Sequence, residues 1–515
     1  MAAPRTLPYG DLSTCSDEYV RMRPVRDAIE DFYVGGYRLA DNVREYIPRL
    51  VGENQKRYLE RVKAGAYFNY FAQIIDYFAA ALFTQELAVR PAGDADDPST
   101  AGEAPKEDDL YSRFAKNADG GGKSLNEVLQ SLMVTALKQG SAWLHVDMPP
   151  ASDDVLSRAD EEARGLGMPY LFEVPHDQII DWDCDEDDEL VYAVTRQCKK
   201  LKGPPGARRN RRLETFDVWL REVPEAGGDP VVTCNRYEID YPVDQKPRET
   251  DDCRLVEENV TTFTRIPLLH LELNDGLWVG NKLCPMAREH FQRRTSLNSA
   301  ENRSLVAIPV AKLGPEIPGA GEGMSEVQQN PNRGVDPVAA FHAKGYEVIG
   351  KDDALEFVEP TGRAYEHIAK RIDDLKQEMF RISHQLAASA SMQASSGLQR
   401  SGKSKAEDRA AEALVLGALG RAIRNFGVLL YDTISRSRGE DVVWVPHGLD
   451  TFEHEDREQT LEESIQIQAV SIPSPTFRKE HCKRVYRKLV PNLPPQTTAT
   501  IDAEIEEGVE SEQEK

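Results

Sequence analysis

Apolar side chains at Tyr365, Ile368, Ile372, Leu375, Met379, Ile382 and Leu386 recur at alternating steps of three and four. This seven-residue period specifies a helix with a narrow apolar seam. Running from about Arg363 to Ala390, such a helix is ~42 Å long at a rise of about 1.5 Å per residue. Most of its circumference faces water or polar neighbours, and alone it cannot bury the seam. It requires a partner helix, in its own chain or in a second copy.

A second helix, polar and opened by Pro285, is expected over 285–305. Between the two lies a Gly/Pro-rich insertion with short strand-like pieces, "VAIPVAKL" and "GYEVIG". A third helix follows over 405–438. Earlier, 16–87 reads as helical, with Pro24 in the first turn of a second helix and 52–83 as one long helical stretch. Its most apolar part, "YFNYFAQIIDYFAAALF", is interrupted by Asn69, Gln73 and Asp76 and falls short of the ~20 residues that a membrane span needs. A buried core helix, not a membrane anchor, is expected there.

The Pro/Gly/Asp-rich segment 91–109 predicts an exposed linker. Ser124 and Glu127 have capping-box spacing ahead of an apolar face, Leu125 to Ala136, with Gly140 as the stop. Residues 141–148 and the runs "YLFEV", "QIIDW", "LVYAVTRQ", "FDVWL", "PVVTCNRYEI" and "VTTFTRIPLLHLEL" predict a β-rich part within 141–275. The fold class is therefore α+β and mostly helical. Near the C-terminus, 458–470 and 474–490 are expected as helices, and the acid-rich tail from 501 as disordered.

Net charge narrows the function classes. The chain of 515 residues carries −24, whereas a protein that simply coats DNA is basic, so any nucleic-acid contact must be local. Seven cysteines with no C-x-x-C pair predict reduced thiols, not a disulfide framework or zinc site. The N-terminus has no signal-peptide pattern.

"GLQRSGKS", 397–404, fits the phosphate-loop pattern G-x-x-x-x-G-K-[ST]. A true phosphate loop needs a buried strand before it, yet "SHQLAASASMQASS" has no β-branched aliphatic residue and continues the seam helix. "VLLYD", ending at Asp432, imitates a Walker B strand inside a helical pattern. No acid occurs from Met379 to Ala406, while Arg381, Arg400, Lys403 and Lys405 are basic. A small-residue basic loop of this kind suits sequence-blind contact with a phosphate backbone; a solvated linker is the alternative. "DGGGKSL", 119–125, reads as a turn and helix cap. "DWDCDEDDEL", 181–190, has Glu186 where a calcium loop wants Gly, so an acidic hairpin or strand end is expected. "RQCKKLKGPPGARRNRR", 196–212, is a basic loop for a partner or for solvent. No H-E-x-x-H or G-x-S-x-G occurs, and no catalytic centre, metal site or cofactor is expected.

The order of these parts resembles the portal proteins of tailed bacteriophages. The residues that carry the resemblance are "YFNYFAQIIDYFAAALF", "SLNEVLQSLMVTALKQGSAWLHVDMP", "PYLFEVPHDQIIDW" and "RIPLLHLELNDGLWVGNKLCPMAREHFQRRTSLNSAENRSLVAIPV". The resemblance implies a wing over 1–280, stem helices at 281–306 and 363–392 around a clip at 307–362, and a tunnel loop at 393–405. A wing helix at 406–440, a crown at 441–500 and an acidic tail complete it. The C-terminal crown is short for the family.

It further implies a homo-oligomeric ring of roughly twelve copies with head-to-tail contacts, placed at a capsid vertex of the virion and assembled in the host bacterial cytoplasm. Double-stranded DNA would pass through it, and the terminase large subunit, a head–tail adaptor and the major capsid protein would be partners. Arg400, Lys403 and Lys405 would touch DNA from the tunnel loop, with Arg363, Lys370 and Arg371 on the stem as weaker contacts. A P-loop NTPase and a scaffolding oligomer without a DNA channel are the rival readings.

Overall fold

The computed structural model describes the chain apart from 1–3, 95–96, 102–108, 149–166, 202–210, 225–227, 305–307, 313–353, 359–362, 385–401, 450–451, 453–474, 490–499, 502–503 and 506–515. It is an α+β protein. The first part runs β1 (Thr6–Pro8), α1 (Tyr9–Ser13), α2 (Asp17–Val34), α3 (Gly36–Asp41), α4 (Val43–Tyr46), α5 (Gln55–Lys63), α6 (Tyr70–Leu82), β2 (Ala88–Asp94), β3 (Asp97–Ala101), α7 (Leu110–Lys116) and α8 (Leu125–Gln139). The β-rich part follows as β4 (Ser141–Asp147), β5 (Tyr170–Val174), β6 (Ile179–Cys184), β7 (Leu190–Lys200), β8 (Arg211–Glu222), β9 (Val231–Pro242), β10 (Asp252–Val260) and β11 (Leu268–Glu272). Then come α9 (Val279–Ser304), β12 (Ile308–Lys312), β13 (Ala354–Val358), α10 (Arg363–His384), α11 (Gly402–Ser437), β14 (Trp444–His447) and α12 (Pro475–Leu489).

Two sheets build the β-rich part. One is six-stranded in the order β1-β10-β9-β8-β7-β6; the other is three-stranded, β11-β4-β5. Strand β10 was not foreseen. Its sequence, DCRLVEENV, lacks apolar alternation, and it is a strand because it pairs antiparallel with β9. The run 260–273 correspondingly shrinks to β11. The basic stretch 196–212 is in part the paired ends of β7 and β8 rather than a free loop, and Arg211 bonds Asp240 at 2.8 Å.

Local signals set several helix ends. Ser124 and Glu127 form the capping box, and Gly140 closes α8 in the left-handed region at φ 86°. In the turn before it, Asp119 accepts the backbone N–H of Gly121 and of Lys123. Helix α2 starts earlier than Pro24 suggested, because Ser16 accepts the N–H of Tyr19; Pro24 lies inside it. The stretch 52–83 is two helices. Asn69 caps α6 by accepting from Ala72, while Tyr67, between the two, donates to the Phe32 carbonyl at 2.7 Å. Part of the expected linker 91–109 is strand, since β14 arrives from far along the chain to pair Trp444 with Pro91.

The main core joins α2, α6, α8, α9 and α11 with β4 and β11. Helix α11 buries Leu416, Leu419, Ile423, Phe426, Leu430 and Ile434 at helical spacing. Within Ala413–Ser437 it is long and apolar enough to cross a membrane, an 18-residue window reaching a mean hydropathy of 1.5; a core helix of a folded domain meets the same measure. Asp432 lies within this helix, so "VLLYD" is not a strand. Near the C-terminus 458–470 lies outside the described residues, α12 matches the helix expected at 474–490, and 501, 504 and 505 have helical backbone within the expected disordered tail.

Candidate functional site

The candidate site is the paired helices α9 and α10 and the start of α11. The root of α9 is held closely. Trp278 donates its indole N–H to the Lys138 carbonyl at 2.8 Å. A Cβ on Gly280 would stand 2.1 Å from that same oxygen, so α9 meets the end of α8 where only glycine fits. This contact starts α9 at Val279, six residues before the expected start, and leaves Pro285 inside the helix.

Helix α9 leads into β12, and β13 leads into α10. β12 pairs antiparallel with β13, Ile308 opposite Val358. The two helix ends at this hairpin are thus neighbours, and α9 and α10 pack along each other more extensively than any other helix pair described. The strand paired with β12 is 354–358, and the strand-like "GYEVIG" lies outside the described residues.

The seam of α10 is covered by α9 of its own chain. Burial rises along it. Tyr365 and Ile368 near the hairpin are half-buried, while Ile372 is 7% exposed, Leu375 3% and Met379 1%. The need for a partner helix is therefore met within one chain, and the seam by itself does not require a second copy. The side chain of Ile382 and all of Leu386 lie outside the described residues.

Around the seam the surface is charged. Lys370 and Arg371 are exposed. Arg371 is less available than expected, because its Nη2 stands 3.5 Å from Glu289 Oε1 on α9. Arg293 and then Arg371 hold the Glu289 carboxyl below its ordinary range. Arg288 lies over the Tyr46 ring, Arg294 over Phe68 and Lys376 over Tyr70. The sequence of α9 holds five basic residues, Lys282, Arg288, Arg293, Arg294 and Arg303, and two acidic ones, Glu289 and Glu301. On α10, Arg363, Lys370, Arg371, Lys376 and Arg381 accompany Glu366, Asp373, Asp374 and Glu378. The pair carries more basic than acidic residues in a chain of net charge −24.

Of the expected tunnel loop, 393–401 with Arg400 and the residues before Gly397 lie outside the described residues. Residues 402–405 are helical and form the first turn of α11. Lys403 and Lys405 therefore sit on a helix N-terminus rather than in a loop, and Arg363 opens α10.

Sequence reasoning missed an ion-pair network beside the acidic run, which is the hairpin between β6 and β7. Arg221 bonds Asp185 at 2.8 Å and Glu189 at 2.6 Å. Arg265 reaches Glu189 at 3.0 Å and Asp432 of α11 at 3.2 Å. Two acids of the run, Asp185 and Glu189, are thus engaged by arginines. Among the described residues no group of three or more His, Cys, Asp or Glu is placed to hold a metal ion.

No protein-family model and no curated protein matches the chain. Similar solved structures include a chain from the neck of an empty GTA particle computed with C6 symmetry, 11% identical over 90% of this chain and 100% of that one, TM-score 0.36. A chain from the virion of a native gene transfer agent particle is 11% identical over 86% and 98%, TM-score 0.36. A third, from the neck of the native GTA particle computed with C12 symmetry, is 12% identical over 90% and 99%, TM-score 0.35.

Proposed function

We propose that this chain is a portal protein: a homo-oligomeric ring at a capsid vertex through which double-stranded DNA is packaged and ejected. The observation that carries the reading is the order α9, strand hairpin, α10, α11, with an intrachain helix pair richer in bases than the rest of the chain. A net charge of −24 keeps most of the surface from adhering to DNA, and a locally basic helix pair permits weak, sequence-blind contact with phosphates. In this reading 1–280 is the wing, α9 and α10 the stem, 307–362 the clip that meets the terminase large subunit or head–tail adaptor, and 441–500 the crown. The major capsid protein would surround the ring. Arg400, Lys403, Lys405, Arg363 and Lys370 would face DNA, with Arg371 shared with Glu289.

Negative-stain microscopy of the purified protein is the primary test. A ring of roughly twelve copies with a hole wide enough for a duplex is the expected result; a compact monomer at high protein concentration overturns it.

One observation favours a second reading. Helix α11 begins at Gly402-Lys403-Ser404, as the helix after a nucleotide-binding loop does. Against it, every strand pairing among the described residues is antiparallel, whereas a phosphate loop belongs to a strand–loop–helix unit of a parallel sheet. An ATPase assay with Lys403→Ala separates the two: lysine-dependent hydrolysis by the protein alone supports the nucleotide reading.

A further inference from the structure

A cavity of about 690 Å3 opens between the six-stranded and three-stranded sheets, and no described residue of α9 or α10 lines it. That volume is in the range of small-molecule sites. Strand register assigns its walls. Thr195 pairs with Asp217, Asp217 with Arg236, and Arg236 with Glu257, so one row across β7, β8, β9 and β10 lines the cavity. Trp219, two residues from Asp217, lies on the same face. Opposite them, β4 and β5 contribute His145 and its cross-strand partner Phe172.

His145 is the feature that needs explaining. It is 8% exposed, with ring centroids 4.5 Å from Phe172 and 5.3 Å from Trp219. Neither Nδ1 nor Nε2 has a hydrogen-bond partner among the described residues. Leaving two such groups unpaired is costly, and buried polar atoms as a rule find partners. Burial pushes the imidazole down to about 4, so near neutral pH it is uncharged and offers one donor and one acceptor.

The surrounding charge narrows what could bind. Arg236 is engaged by Asp217 at 2.7 Å and Glu257 at 3.1 Å, and Arg438 by Glu440 at 2.9 Å. Asp147, a further carboxylate at the wall, accepts the Tyr170 hydroxyl. The cationic groups are thus already matched by carboxylates, which disfavours an anion. The rings of Phe172, 42% exposed, and Trp219 offer flat apolar faces beside the two free nitrogens.

We propose that this cavity binds an uncharged, flat nitrogen heterocycle of purine size, its face against Phe172 or Trp219 and one edge hydrogen-bonded to His145, whose ring turns one of its now covered nitrogens toward the cavity on binding. The probe is adenine, titrated into the full-length protein and followed by saturation-transfer NMR and calorimetry. Adenine is expected to bind, and adenosine monophosphate to bind at least tenfold more weakly because its phosphate meets the carboxylate wall. His145→Phe keeps the ring between Phe172 and Trp219 but removes both nitrogens. It is expected to melt no lower than the native protein and to bind adenine at least tenfold more weakly. Absence of adenine binding to the folded native protein, or binding within twofold in His145→Phe, overturns the proposal. Should the variant fail to fold, indene replaces adenine as a ring of similar size without nitrogen; equal binding of the two by the native protein also overturns it.

Discussion

The α10 seam and the 185–189 hairpin are both tied to distant elements, by opposite means. The seam is apolar, and Leu375 and Met379 are nearly inaccessible against α9 and the core. The hairpin is ionic, with Arg221 and Arg265 bridging it to β8 and α11 through partly exposed carboxylates. Apolar burial is nondirectional and roughly proportional to area, so it needs only the right period. Ion pairs between partly solvated groups are worth less and depend on the arrival of particular partners.

The largest expected effect is on the seam. Leu375→Ala should cost about 3 kcal/mol in urea unfolding, the usual scale for a buried leucine. Ile368→Ala, near the half-buried hairpin end, should cost about 1 kcal/mol. Equal losses at the two positions would mean that something outside the chain covers Ile368, and that would sharpen the case for a ring.

Next is the ionic tie. Arg265→Ala should cost about 1–2 kcal/mol, less than breaking a fully buried pair because Glu189 and Asp432 are 30% and 24% exposed. Raising salt from low to high concentration should shrink that difference and leave the Leu375→Ala loss unchanged. A salt-independent Arg265→Ala effect would break the contrast.

Acid should distinguish the two ties by pH. Arg221 first, then the backbone N–H of Glu189, hold the Asp185 carboxyl below its ordinary range. A carboxylate lowered on folding stabilises above its unfolded value, about 3.9, and that contribution drains as pH falls through the lowered folded value. Urea unfolding at pH 3 and at pH 7 should therefore show a smaller acid loss in Arg221→Ala than in the native protein. Leu375→Ala should parallel the native protein.

The smallest stability effect is expected for Lys370→Ala, within about 0.5 kcal/mol, since the side chain is exposed. If the proposed conduit is right, it should nevertheless lower non-specific DNA affinity and reduce the salt slope of binding by roughly one. Unchanged DNA binding and packaging would remove Lys370 from the DNA-facing set.

Legibility divides along the same line. The seam helix, the capping box at Ser124 and most strands of the β-rich part followed from residues close in sequence. Strands β10, β3 and the C-terminal part of β2 did not, because an acidic or Gly/Pro-rich stretch becomes a strand when a partner edge supplies backbone hydrogen bonds. The basic side chains on the stem were identifiable, but the pairing of Arg371 with Glu289 was not. The His145 cavity had no sequence signal, since its walls come from strands whose register only folding sets.

The sequence by itself determined local periodicity and capping: the seven-residue seam, the start and stop of α8, and the balance of charge along the chain. Tertiary structure alone decided which surface the seam faces, that α9 of the same chain covers it, and which arginine meets which acid. The physical reason is range. Periodicity and caps are set by neighbours a turn or two away, whereas coverage, pairing and register depend on groups that meet only after loop closure.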